Sequence, residues 1–224
     1  MLKKLLSYLY PINLYKTTSE ISKTLEVTLV NGELVLDSQH TNYSYGSLQR
    51  VLRKGLGFIG FDTIKSMNHI LVLGVAGGSV IKTLVDEIGF SGKITGIELD
   101  EKVIEVAQNH FGLDKIKNFN LIHHEAFEFV LKTKYHYDLI IVDVFQDLVM
   151  PSFLFETFFQ YRMSEILNQN GYILFNTMIL KETDNVRNKH YARFFESEGL
   201  QVNRLPRVEE HNELIIIHKK EIKP

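Results

Sequence analysis

Apolar residues in the middle of the chain recur in short unbroken runs separated by amphipathic stretches, and that rhythm sets the expected architecture. Runs such as ILVL at 70–73 and LIIV at 139–142 carry no charge, as strands covered on both faces do. The pattern predicts strands over 69–74, 93–98, 119–124, 137–143 and 171–177. Between and after them it predicts helices over 77–88, 101–110, 125–133, 153–167 and 185–198. Regular alternation of this kind implies an α/β fold: a doubly wound, mostly parallel Rossmann-like sheet with helices on both sides. Two last strands, near 200–205 and 212–218, are joined only by LPRVEEHN. That link is too short for a helical crossover, so an antiparallel C-terminal hairpin at the sheet edge is expected.

The first part of the chain follows other periods. Leu2, Leu5, Leu6 and Leu9 at helical spacing predict a short amphipathic helix or packing arm, docked on its own domain or on a second subunit. SKTLEVTLVNGELVLD alternates β-prone residues around Asn31-Gly32, which predicts a small N-terminal β-hairpin with strands near 22–30 and 33–37. Two strands alone are marginal, so this hairpin must pack on the following domain or pair with another chain's edge, which leaves a homodimer open. A helix over 47–56 follows, and its start brings Tyr43, Tyr45 and Gln49 near one another. The expected division is an arm and hairpin over 1–45 and a Rossmann-like nucleoside-binding domain over 46–224.

With 224 residues, 45% of them hydrophobic, the chain can bury one sizeable core. A formal net charge of -2 supplies no broad cationic field, so no nucleic-acid partner is expected. Cysteine is absent, which excludes disulfides, thiolate metal sites and cysteine nucleophiles. MLKKLLSYLYP is interrupted by Ser7 and Tyr8, stops at Pro11 and has no small-residue cleavage site, so no membrane association is expected and the expected location is cytoplasmic. His123 and His124 are neighbours on a predicted strand and point to opposite faces, so no metal site is assigned. Arg187, Lys189, His190 and Arg193 lie on a predicted helix and read as a solvated face.

In an open α/β sheet, ligands bind beyond the carboxyl ends of the strands, where strand order reverses. Those ends carry Gly74, Gly77 and Gly78 after the first strand, Glu98 and Asp100 after the second, Glu125 after the third, and Asp143 and Asp147 after the fourth. Glycine lets backbone approach a ligand closely, and an acidic residue roughly 20 positions on can accept from ribose hydroxyls. A nucleoside-containing cofactor is therefore expected at the turn. The turn lacks the G-x-G-x-x-G spacing and any P-loop lysine, which argues against NAD and ATP. Asp100 and Glu125 have an ordinary alternative as helix caps, whereas Glu98 and Asp143 close apolar strands where capping does not call for them.

The glycine motif, IELDEKVIEVAQNHF, HEAFEFV, YDLIIVD, PSFLFETFF and LNQNGYILFN, in this order, resemble the class I S-adenosylmethionine-dependent methyltransferase superfamily, and within it the spermidine synthase (polyamine aminopropyltransferase) family. The resemblance implies a transferase. It implies that Gly74, Ala76, Gly77 and Gly78 wrap the methionine moiety, that Glu98 holds the ribose with Leu99 beside it, and that Glu125 and Ala126 face the adenine. Asp143 would occupy the place of the aspartate that takes a proton from the attacking amine. On the acceptor side the candidates are Tyr45, Gln146 and Asp147, with Phe145 and Phe153 either shaping the pocket or belonging simply to the core. The cofactor would be S-adenosylmethionine or its decarboxylated form, without a metal, and the acceptor a small molecule, with a polyamine as one choice.

Three departures from the family pattern give a direction. Ala76 stands where the synthases carry the aspartate that meets the aminopropyl ammonium; Tyr45, Gly46, Ser47 replaces Tyr-His-Glu; and D-S-S-D reads Asp143, Val144, Phe145, Gln146. An aspartate there attracts an ammonium and repels a carboxylate, so Ala76 removes that discrimination. The leading expectation is an S-adenosylmethionine-dependent transferase acting on a small acceptor. Its alternatives are a true aminopropyltransferase and a non-catalytic nucleoside-binding or scaffold protein.

Overall fold

The computed structural model describes residues 2–38, 42–44, 47–145 and 149–220. The chain opens with α1 (Leu2–Leu6), which leaves Leu2 and Leu5 exposed. Four antiparallel strands follow, β1 (Ile12–Ser19), β2 (Lys23–Val30), β3 (Glu33–Ser38) and β4 (Asn42–Ser44), in the order β1-β2-β3-β4. The expected hairpin is β2–β3, and its turn puts Asn31 and Gly32 at φ +50° and +80°, as a type I′ turn requires. It is the middle of a larger sheet than expected. INLYKTTS escapes the alternation rule because its register with β2 shifts between Asn13 and Tyr15, which breaks the period of two.

The helices α2 (Ser47–Ile59) and α3 (Phe61–Lys65) lead into β5 (His69–Leu73), an interior strand of a seven-stranded sheet. Its residues Ile70 and Val72 pack into one apolar cluster while Leu71 and Leu73 pack into another, so this single strand feeds the cores on both faces. After β5 come α4 (Ser79–Lys82), β6 (Lys93–Glu98), α5 (Glu101–Phe111), β7 (Phe119–His123), α6 (Ala126–Lys132), β8 (Tyr137–Val142), α7 (Thr157–Glu165), β9 (Leu167–Met178), α8 (Glu182–Ser197), β10 (Gln201–Leu205) and β11 (Asn212–His218).

The helix expected over 77–88 is short at both ends of its α-helical part. Gly78 takes φ +78° before α4, and Thr83–Glu87 continues as a π-helical turn in which the Ile88 amide reaches the Thr83 carbonyl at 3.0 Å. The helix expected over 153–167 likewise divides into a 3-10 turn, Ser152–Phe155, and α7.

Strand order is β10-β11-β9-β8-β5-β6-β7, with β5, β6, β7, β8 and β9 parallel and β10–β11 the expected antiparallel edge hairpin. The order reverses between β5 and β8. Their carboxyl ends are Leu73 and Val142, so the switch point lies between the Gly74 turn and Asp143. The four-stranded sheet is fixed beside it: Leu25, Val27 and Leu36 form a third apolar cluster with Val103, Val106 and Phe111 of α5. Among the described residues, no helix is long and apolar enough to cross a membrane.

Candidate active site

The turn after β5 is shaped by backbone that few side chains tolerate. Gly74 has φ +82° and Ala76, without glycine's freedom, φ +48°, a left-handed conformation that costs an L-residue about 1–2 kcal/mol. The Gly74 amide donates to the Ile97 carbonyl at 2.9 Å and the Asp143 amide to the Leu73 carbonyl at 2.9 Å, so β5 ties both neighbouring strand ends into one frame.

Glu98 closes β6 and turns its carboxylate back onto this frame. Oε2 accepts from the amides of Val75 and Ala76 at 3.1 and 3.0 Å, and Oε1 from those of Leu99 and Asp100 at 2.9 and 3.0 Å. Burial pushes its pKa upward, and these four amides pull it back toward the ionised form. The carboxylate thus braces the turn as well as standing at the strand end. Capping of α5 falls to Asp100, so Glu98 caps no helix; beyond its own loop, the amides it holds belong to the turn after β5.

Asp143 follows β8 on the other side of the switch point. Oδ1 accepts from Nδ2 of Asn176 at 2.8 Å. Burial and, secondarily, the charge of Glu98 push its pKa up to about 6, with the Asn176 amide opposing them. A carboxyl near neutrality at a strand end is suited to receiving a proton.

The other acids have different work. Asp100 caps α5, its Oδ1 accepting from Lys102 and Val103 amides at 2.9 and 3.4 Å, while Oδ2 accepts from the Ser22 hydroxyl at 2.6 Å and from the Ser19 hydroxyl. It therefore joins the N-terminal sheet to the larger one. Glu125 caps α6 through the Glu128 amide at 2.9 Å. Leu99, 45% exposed beside Glu98, offers an apolar surface at the rim, and its carbonyl accepts from Nε2 of His123 at 2.9 Å. Ala126 starts α6 and is buried. Gly77 lies within the turn. Tyr45, Gln146 and Asp147 lie outside the described residues, and the grouping expected of Tyr43, Tyr45 and Gln49 is represented by Gln49 alone, near the Thr83 hydroxyl at 3.4 Å.

A family model described as the spermine/spermidine synthase domain matches residues 51–204, more than half of the chain. The chain belongs to this family. A Bifidobacterium longum protein named as a probable polyamine aminopropyl transferase is 26% identical over 179 residues, covering 76% of this chain and 39% of that one. An eEF1A lysine and N-terminal methyltransferase homolog of Drosophila melanogaster is 28% identical over 172 residues, covering 69% of this chain and 25% of that one. The chain thus spans well under half the length of either relative. Spermidine synthase from Thermotoga maritima superposes with a TM-score of 0.69 at 16% identity, over 92% of this chain and 72% of that one, which establishes the shared fold.

Within the family frame, one expectation changes. Arg187 is not on a solvated face: its guanidinium carbon sits 4.2 Å from the centre of the Phe155 ring and Nη2 donates to the Met178 carbonyl at 3.1 Å, whereas Lys189, His190 and Arg193 are exposed. Helical position alone does not distinguish a cation folded under its own helix. Phe153 belongs to an aromatic group with Phe127 and Phe159, at 5.4 and 5.0 Å between ring centres, and packs on the core, as does Phe145. Sequence reasoning missed Asn176 altogether. Its one signal was a polar residue ending the apolar run YILF.

Proposed function

We propose that the chain is an S-adenosylmethionine-dependent transferase acting on a small acceptor. The observation that carries this reading is Ala76: the turn that would receive the methionine end has a methyl group where the family's synthases place a carboxylate, so the side chain at that position does not repel the carboxylate of ordinary S-adenosylmethionine. The turn fits such a group, with left-handed backbone at Gly74, Ala76 and Gly78, Glu98 at the strand end for ribose hydroxyls, and the exposed Leu99 beside it.

The bound sulfonium nucleoside supplies an activated carbon. The chain's own share is to position the acceptor in line, exclude water and accept a proton. An alkyl ammonium with a pKa near ~10 must lose its proton before it can attack. Asp143 takes that proton on its carboxylate, and its upward-shifted pKa makes it a better acceptor than an ordinary aspartate. Tyr45, Gln146 and Asp147 would line the acceptor side, and residues 1–45 form an accessory unit on the nucleoside-binding domain over 46–224. A homodimer through the N-terminal hairpin is one assembly open to the chain, with the exposed Leu2, Leu5 and Leu9 of the arm available to dock on a second subunit.

Family membership favours a second reading, aminopropyl transfer from decarboxylated S-adenosylmethionine to a polyamine. Titration calorimetry with the two cofactors and with methylthioadenosine separates them, followed by product analysis with putrescine. Comparable or tighter binding of S-adenosylmethionine supports the first reading. Strong preference for the decarboxylated form, with spermidine as product, replaces it with the second. Binding of none of the three removes both.

A further inference from the structure

Asn176 and Asn212 are polar side chains that the proposed reaction leaves without a role, and they form a line that ends on Asp143. Asn176 is wholly buried near the end of β9, one residue beyond the Phe175 that pairs with Val142. Its Nδ2 donates to Asp143 Oδ1 at 2.8 Å, and its Oδ1 accepts from Nδ2 of Asn212, at the start of β11, at 3.0 Å. A carboxamide has one donor end and one acceptor end. Because an ionised Asp143 can only accept, the amino group of Asn176 must face it, and the Asn176 oxygen is left to accept from Asn212. The reverse orientation would set the oxygen of Asn176 against a carboxylate oxygen and its amino group against that of Asn212, leaving the wholly buried Asn176 side chain unpaired at both ends.

We infer that Asn176, oriented by Asn212, is a positioning residue that holds Asp143 ionised and aimed at the switch point. This rests on the reading of Asp143 as the proton acceptor. The surroundings of Asp143 show why such a device is needed. From β5 it meets backbone at Gly74, from β6 the like charge of Glu98, from β9 Asn176, and beyond it from β11 Asn212. Glu213, the neighbour of Asn212, is turned away onto Asn188 and Arg204. Among the described residues, the Asn176 amide is thus the group that offsets burial and Glu98 at Asp143. Without it, a larger share of the carboxyl keeps its proton at neutral pH and cannot accept another.

Carbon-detected NMR titration of the aspartate carboxyls in the full chain tests this directly, with Asp143 assigned by the signal lost in Asp143→Asn. In Asn176→Leu, which keeps the volume and removes the donor, the Asp143 midpoint is expected to rise by about 1–2 pH units. In Asn212→Ala it should rise in the same direction by less, since the Asn176 amide is then free to turn. An unchanged midpoint in folded Asn176→Leu overturns the inference. Should that variant fail to fold, an unchanged midpoint in Asn212→Ala overturns it instead. Transfer to putrescine that persists in Asp143→Asn has a different meaning: it removes Asp143 as the proton acceptor and leaves the midpoints untouched, so the two failures are separable.

Discussion

The α-carbon of Gly74 and the carbonyl of Asp143 stand so close that a Cβ built on Gly74 would lie 2.2 Å from the Asp143 oxygen and 2.8 Å from its carbonyl carbon. Both ends of the strand-order reversal are therefore in backbone contact, and the turn cannot be widened without moving the carboxylate that follows β8. Glycine meets two demands here at once, the close approach and φ +82°.

Gly74→Ala should accordingly lower stability by more than ~2 kcal/mol and abolish binding of the nucleoside cofactor. Gly199→Ala is the control, because that residue has a similar φ of +80° and nothing within 4 Å of the place a methyl group would take. It should cost about 1 kcal/mol, the backbone strain alone, with binding intact. Chemical denaturation and calorimetry on both variants check this. Equal losses would mean that the contact with Asp143 is unimportant.

Ala76→Asp restores the charge that the synthases carry in this turn. Aspartate tolerates left-handed backbone better than most residues, so φ +48° should remain accessible. The ratio of affinities for decarboxylated over ordinary S-adenosylmethionine is expected to rise at least about tenfold, since one ammonium gains a partner and one carboxylate gains a repulsion. Calorimetry with both ligands measures the ratio, and an unchanged value would show that position 76 does not face the methionine end.

Much of this arrangement was legible beforehand because buried parallel strands leave a plain signature. ILVL and LIIV are uniformly apolar since both faces of β5 and β8 are covered, and the acids that end their neighbours stand out against such runs. What stayed hidden depended on pairing across distance. Nothing local in INLYKTTS specifies β1, whose bulge breaks the alternation and whose Ser19 finds its partner at Asp100. Nor does sequence spacing reveal that Glu98 would meet amides 22 and 23 residues earlier, or that Asn176 would meet Asn212 on an antiparallel neighbour. Helical periodicity placed Arg187 on a surface, but its long stem let the guanidinium fold back over Phe155.

The buried carboxylate of Glu213 separates useful ion pairs from decorative ones. Arg204 Nη2 meets its Oε1 at 2.6 Å and Asn188 Nδ2 its Oε2 at 2.8 Å, with the Glu213 side chain 1% exposed. Arg204→Met leaves that charge with a single neutral donor and should cost about 3–5 kcal/mol. Lys16 and Glu26, 2.6 Å apart with 62% and 34% of their side chains exposed, form a pair of the other kind. Lys16→Met should change stability by no more than ~1 kcal/mol. Urea midpoints for the two variants decide whether burial sets the difference.

Asp143 should make the protein less stable as the pH rises through neutrality. Burial and Glu98 raise its folded pKa to about 6, above the ordinary range that it recovers on unfolding. Between pH 4 and about 6 the native state therefore binds more proton than the unfolded state, so this residue's favourable contribution is complete below pH 4 and is lost as pH rises through 6. Asp143→Asn keeps the shape and an acceptor for Asn176 but carries no charge at any pH. The variant should come close to the wild type near pH 4 and exceed it above pH 7 by about 2–3 kcal/mol, while transfer activity falls. Denaturation curves collected across that range measure the difference. A constant gap at every pH would mean that Asp143 is not destabilised as an ion in the folded chain, and a gap that opens toward acid would reverse the sign of the burial effect.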